Sequence, residues 1–254
     1  MSGVATALGL AGRNLLLVRR VPSVFIPSLV MPLFILVSTA GAFHGIGALP
    51  DFRGVDYLAF TLPMAATMGA GFAGVNSGMT LARDLEGGFF DRLQASPAPR
   101  LALIAGPLLA AVARSLFTTT VVYVAATIGG VSLPGVIDTF VVYVLAAAFG
   151  AAASMWAMGV ALRTHSVQAS PLMQVVVFMS VFTSVAYTPR SALRGWLSHV
   201  ADVNPVTYIL EASRGAQLFG ATWSELGRAG LALAVLAALT GTFALRGLSR
   251  LGHR

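Results

Sequence analysis

No lysine and no cysteine occurs in the 254 residues of this chain. All 16 basic residues are therefore arginine, and a G-x-x-x-x-G-K-[ST] nucleotide loop is excluded because the ammonium group that reaches the phosphates is missing. The chain does not hydrolyse ATP by that chemistry. Without cysteine there are no disulfides, thiolate nucleophiles or cysteine metal ligands. The four histidines, His44, His165, His199 and His253, lie far apart with no ligand spacing, so no metal site is predicted. Charge is scarce as well: 10% of residues are charged and 57% are hydrophobic. A water-soluble domain needs more charge than that on its surface, and several apolar runs are long enough to cross a bilayer. The composition predicts an all-α integral membrane protein. The net charge of +7 does not point to nucleic acid, because the arginines are scattered between apolar runs and act as topology signals.

Along the chain, residues Ser2 to Arg20 place Val4, Ala7, Leu8, Ala11, Leu15 and Val18 on one helical face with Arg13 and Arg20 opposite, which predicts an amphipathic helix lying on the membrane surface. Arg19 and Arg20 directly precede the first long apolar run, which keeps the amino terminus inside. The six predicted spans are 24–43, 57–81, 101–128, 137–162, 168–187 and 229–245. The second is rich in Gly69, Gly71, Gly74 and Gly78, and the fourth holds Gly150 and Ser154; such small residues allow close helix approach. Residues 188–228 are too polar for a plain span and too apolar for a solvated loop. There Asn204 is a helix cap, Pro205 a first helical residue and Gly220 a stop, predicting a helix over Pro205 to Phe219 behind a shorter one over Arg190 to Val200. With both termini inside, ten arginines fall on the inner side and five on the outer, with Arg114 buried in the third span.

Arg83 to Arg100 is the densest charged stretch. Leu85, Phe89 and Leu93 recur at helical spacing with Asp84, Asp91 and Arg92 off that stripe, so an amphipathic helix ended by Pro97 and Pro99 is predicted between the second and third spans. Its apolar ridge suits a partner's groove, and Asp84, Glu86, Asp91 and Arg92 would orient the docking. The plainer alternative, a helix resting on lipid, fits its acidic residues poorly because the inner leaflet is anionic.

Two motifs then resemble the ABC-2 type permeases, the membrane subunits of ABC exporters. Arg83-Asp84-Leu85-Glu86-Gly87-Gly88-Phe89-Phe90-Asp91-Arg92-Leu93, continued by Ser96-Pro97 and Arg100, is similar to that family's cytoplasmic segment. Asn204-Pro205-Val206-Thr207-Tyr208, with Glu211-Ala212 and Arg214-Gly215, is similar to its carboxy-proximal signature. The Asp-Leu-Glu-Gly and Phe-Asp-Arg pieces most resemble the daunorubicin-resistance branch of bacterial drug exporters. The resemblance spans essentially the whole chain as one transmembrane domain. It implies a connecting helix at residues 1–20, a coupling helix at 83–96 and an outer re-entrant region of two short helices at 188–228. It also implies a multi-pass protein of the bacterial cytoplasmic membrane, with both termini cytoplasmic. The partners implied are ATPase subunits that bind ATP and Mg, a second permease copy or paralogue, and membrane lipids. No cofactor is expected in this chain. Gly87-Gly88 departs from relatives that carry a single glycine there.

The candidate residues follow from these placements. Asp84, Leu85, Glu86, Phe89, Asp91, Arg92 and Leu93 are expected to couple to the ATPase. Asn204, Pro205, Tyr208, Glu211 and Arg214 are expected to form an outer gate or lid; Glu211 and Arg214, three residues apart, form either a gate ion pair or a helix-stabilising pair. Met64, Met68, Asn76, Arg114, Thr118, Thr119, Phe178, Phe182 and Thr183 either line a translocation path or pack the core. A path with so few charges favours hydrophobic or amphipathic cargo, drug-like or lipid-like. Arg114 must face protein or water, and internal pairing is its simpler role. An intramembrane serine protease built on Ser77 would need a histidine within a span, and there is none. An ion- or proton-coupled secondary transporter would be expected to carry internal repeats and intramembrane ionisable pairs. A non-transporting anchor for a signalling complex is the remaining alternative.

Overall fold

The computed structural model describes residues 3–20, 22–43, 45, 52, 54–89, 99 and 101–251. Described secondary structure is helical throughout: α1 (Gly3–Arg20), α2 (Pro22–Ala42), α3 (Tyr57–Glu86), α4 (Ala102–Ile128), α5 (Val136–Thr164), α6 (Ser170–Phe182), α7 (Trp196–Val203), α8 (Pro205–Leu218) and α9 (Trp223–Leu251). Four segments are long and apolar enough to cross a membrane, Tyr57–Glu86, Ala102–Ile128, Val136–Thr164 and Trp223–Arg250; Ser28–Ala42 and Val167–Phe182 are shorter apolar segments. We call the end of the bundle that carries α1 proximal and the end that carries α7 and α8 distal.

The bundle is built around α3. Its glycines let neighbours approach to backbone contact: a side chain at Gly74 would strike the Gly150 carbonyl of α5, and one at Gly78 would strike Ala157. Close approach of this kind is how helices associate where lipid removes the hydrophobic drive between them. Gly71 opens room for Phe149 of α5 and Val177 of α6, and Gly69 for Thr118 of α4 and Pro32 of α2. Met64 and Met68 fill the interior of the same helix and are fully buried. By contrast α9 touches the bundle along one side and turns Leu231, Val235, Leu239 and Leu245 outward.

Several boundaries differ from the sequence pattern, each for a local reason. α3 continues to Glu86, so Arg83 to Glu86 form its last turn rather than the start of a separate helix. Gly87 caps it and Gly88 takes a left-handed φ of 65°, which takes Leu85 and Phe89 off a common helix. α6 stops at Phe182 instead of running to Tyr187. Its 13 residues reach only about 20 Å, short of the roughly 30 Å hydrocarbon layer, and α8 folds back to complete the distal layer. α9 begins at Trp223 rather than Ala229, because Thr222 and Glu225 exchange the backbone bonds of a capping box. α1 does not lie on the surface by its whole apolar face: Ala7, Ala11 and Asn14 are buried, whereas Val4, Leu8, Leu15 and Leu16 face outward. Gly106 of α4 explains the buried side, since a β-carbon there would meet Leu10 and the Ala7 carbonyl.

Candidate functional site

Between α2, α3 and α6 lies a cavity of about 600 Å³. Phe72, Asn76, Met79 and Arg83 form one stripe of α3 along it, because residues four, three and four apart share a helical face. Pro171, Gln174, Val175 and Phe178 face them from α6, and Ser28 and Met31 close the α2 side. Two groups expected in the path, Asn76 and Phe178, are in this wall. The buried Nδ2 of Asn76 has no hydrogen-bond partner. Gln174 Nε2 donates to Met79 Sδ at 3.7 Å. Phe178 stacks on Phe182 with ring centroids 4.0 Å apart, and Phe182 meets Tyr187 at 5.3 Å.

The other expected path residues lie elsewhere. Met64, Met68, Thr118 and Thr119 are buried in helix contacts and do not border this cavity. Thr183 Oγ1 accepts from Asn204 Nδ2 at 3.1 Å. Arg114, 4% exposed, pairs internally: it donates to Ser77 Oγ and, at 3.5 Å, to the Asn14 carbonyl of α1. Ser77 Oγ in turn donates to the Pro107 carbonyl at 3.1 Å. This guanidinium ties α1, α3 and α4 together with no carboxylate, and its Nε is left without a partner.

At the proximal end, Asp84 accepts two bonds of 2.7 Å from Arg13 of α1, whose guanidinium also lies 4.1 Å over the Phe89 ring. The hydrogen bond from Arg13 to Asp84 raises the pKa of the guanidinium above its usual value, against the opposing effect of partial burial. Glu86 Oε1 accepts from the Val167 amide at 2.7 Å, which fastens the α5–α6 connection to the same turn, and Leu85 packs on the core. Asp91, Arg92, Leu93 and Pro97 lie outside the described residues, as do His44 and His253, while Pro99 is described, exposed and outside any helix.

The distal end is organised by α8, ten of whose residues are buried, polar ones included. Asn204 is its cap as expected: Oδ1 accepts from the Val206 amide at 2.9 Å, while Nδ2 donates to the Ser180 carbonyl at 2.7 Å and so holds the end of α6. Glu211 does not pair with Arg214 among the described ion pairs; it accepts from Arg190 Nε at 2.9 Å, and Arg190 also meets Asp202 at 3.2 Å. Tyr208 donates to the Asp202 carbonyl at 2.6 Å and lies beside the Arg190 guanidinium. Burial would lower the pKa of Arg190, but Glu211, Tyr208 and Asp202 together raise it. Arg214, 7% exposed, sits 3.8 Å over the Phe60 ring and donates to the carbonyls of Phe60 at 3.0 Å, Val185 at 2.5 Å and Ala186. Those last two carbonyls belong to the irregular segment that follows α6. Sequence spacing hid Arg190 as the partner of Glu211, because the two are joined across the irregular segment between α6 and α7. The Thr222-x-x-Glu225 signal for α9 was present and passed over.

A central glycine-lined helix, a short helix broken within the distal layer and a folded-back pair completing it define a polytopic α-helical membrane protein with an internal cavity. Residues 8–218 match the family described as ABC-2 type transporter, and the chain belongs to that family. It is a membrane subunit of an ABC exporter. It is 27% identical, over 247 residues that cover 96% of this chain and 84% of the relative, to the daunorubicin resistance ABC transporter permease protein DrrB1 of Streptomyces coeruleorubidus.

Proposed function

We propose that this chain pairs with a second copy or a paralogous permease and with separate ATPase subunits, and exports hydrophobic or amphipathic molecules, drug-like or lipid-like, across the bacterial cytoplasmic membrane. In this reading the chain crosses six times, α2 and α6 being the short spans, and both termini are cytoplasmic, as the arginine distribution favours. The observation that carries it is the cavity between α2, α3 and α6. Its wall is largely apolar with two amides, and its rim residues Met31 and Val175 are 40% and 48% exposed, giving a route in from the side. Drug-like cargo accords with the resistance function in the relative's name.

ATP and Mg are bound by the partner. The proximal turn of α3 then works as the mechanical input. Arg13 and Glu86 bind it to α1 and to the α5–α6 connection, so a push on the segment after Gly88 moves all three together. Nucleotide binding in the partner supplies the bias between inward- and outward-open packings. Affinity purification in mild detergent tests the assembly: a stable partner carrying a nucleotide loop is expected, and a solitary chain active in transport refutes the reading. Phe89→Asp, or charge reversal at Asp91 and Arg92, is expected to leave insertion intact while uncoupling ATPase stimulation from transport. Normal transport by a normally assembled complex removes the docking role from those residues.

A further inference from the structure

We infer that the cargo is an amphiphile with an anionic headgroup, seated with its head against Arg83 and its apolar body towards Phe72 and Phe178. This rests on the cavity being the cargo route. The stripe from Phe72 to Arg83 runs about 16 Å along α3, roughly half of the hydrocarbon thickness, so one molecule can touch both ends.

The wall is graded along that length. Arg83, exposed in the last turn of α3, marks the proximal mouth. The amides of Asn76 and Gln174 come next, and the far end is aromatic and aliphatic. Among the described residues no carboxylate lines the cavity. Two described acids of the same turn are already engaged, Asp84 by Arg13 and Glu86 by the Val167 amide. Among the described residues no carboxylate pairs with Arg83, and Asn76 Nδ2 has no acceptor. The charged donor on the cavity wall is Arg83, which suits a phosphate, sulfate or carboxylate head. A guanidinium meets such a head through paired, charge-assisted hydrogen bonds, whereas a cationic head meets repulsion with no acid to offset it.

The test uses the full-length permease in nanodiscs of neutral lipid, with three probes: dodecyl phosphate, dodecyltrimethylammonium and inorganic phosphate. Calorimetry is expected to show saturable binding of dodecyl phosphate, binding of the ammonium probe on the order of tenfold weaker, and none of tail-less phosphate. Arg83→Gln is expected to weaken dodecyl phosphate on the order of tenfold, and Arg83→Glu to reverse the headgroup preference. Equal affinity for the two headgroups, or no change in Arg83→Gln, overturns the anion assignment. Val175→Trp, which fills the cavity from an exposed rim position, separates the two levels when export of both dodecyl probes by the assembled transporter is measured. Export lost in that variant with no headgroup preference overturns the anionic head alone. An Arg83-dependent preference with export unchanged overturns the cargo route alone.

Discussion

Arginines at the rim of this bundle and arginines inside it are held by different chemistry. Arg13 and Arg190, with side chains 35% and 38% exposed, pair with Asp84 and with Glu211 and Asp202. Arg114 and Arg214, 4% and 7% exposed, pair with no carboxylate among the described residues and are bound by carbonyls, a hydroxyl and, for Arg214, an aromatic face. At the rim, water moderates both the cost and the value of an ion pair. Inside, a carboxylate would bring a second desolvation cost, whereas carbonyls freed by a helix break need donors in any case. Arg214 therefore works as a polar fastener for the irregular backbone after α6, Arg114 ties three helices through a hydroxyl and a carbonyl, and the rim arginines join elements through ion pairs.

The comparison breaks most sharply at Arg214. Arg214→Met leaves three carbonyls without their donor and is expected to cost about 3 to 5 kcal/mol, read as a large fall in thermal midpoint in detergent, with Arg214→Lys recovering part of it. Asn204→Ala removes the α8 cap together with the two bonds to the end of α6, and about 2 kcal/mol is expected in the same assay. At the rim, Arg13→Ala or Asp84→Ala is expected to cost about 1 kcal/mol or less, with a double-mutant cycle showing coupling that shrinks as salt rises. The smallest effect sharpens the interior half of the comparison. Arg114→Leu deletes an imperfectly satisfied guanidinium and is expected to change stability by no more than about 1 kcal/mol in either direction. A loss as large as that of Arg214→Met there would show that charge, rather than satisfied backbone, holds the interior.

Much of this architecture is legible in periodicity and punctuation. The runs that became α2 to α5, the glycines of α3, and the Asn204-Pro205 start of α8 each follow from local rules that the packing respects. What the sequence hid is set by distant groups. The end of α6 at Phe182 has no proline or glycine to announce it; Asn204, later in the chain, takes the Ser180 carbonyl of its last turn, and Arg214 takes carbonyls of the irregular segment that follows. The pairing of Leu85 with Phe89 failed because a left-handed glycine intervened. The cavity was half legible: Asn76 and Phe178 were among the residues expected either to line a path or to pack the core, while Arg83 was read with the charged stretch although it continues the stripe of Phe72, Asn76 and Met79.

The contact of Gly74 with Gly150 also bears on how the chain is made. α3 is the least apolar of the four long helices, and its small-residue face suits a helix better than lipid tails. Its partner surface on α5 emerges from the ribosome roughly 75 residues later, a delay on the order of 4 to 15 s at cellular rates of synthesis. During that interval α3 sits in the membrane as an unfinished helix whose Gly74 and Gly78 lack their α5 partner. This places the most vulnerable moment of biogenesis before α5 arrives, when quality control can still distinguish an orphan span from an assembled one.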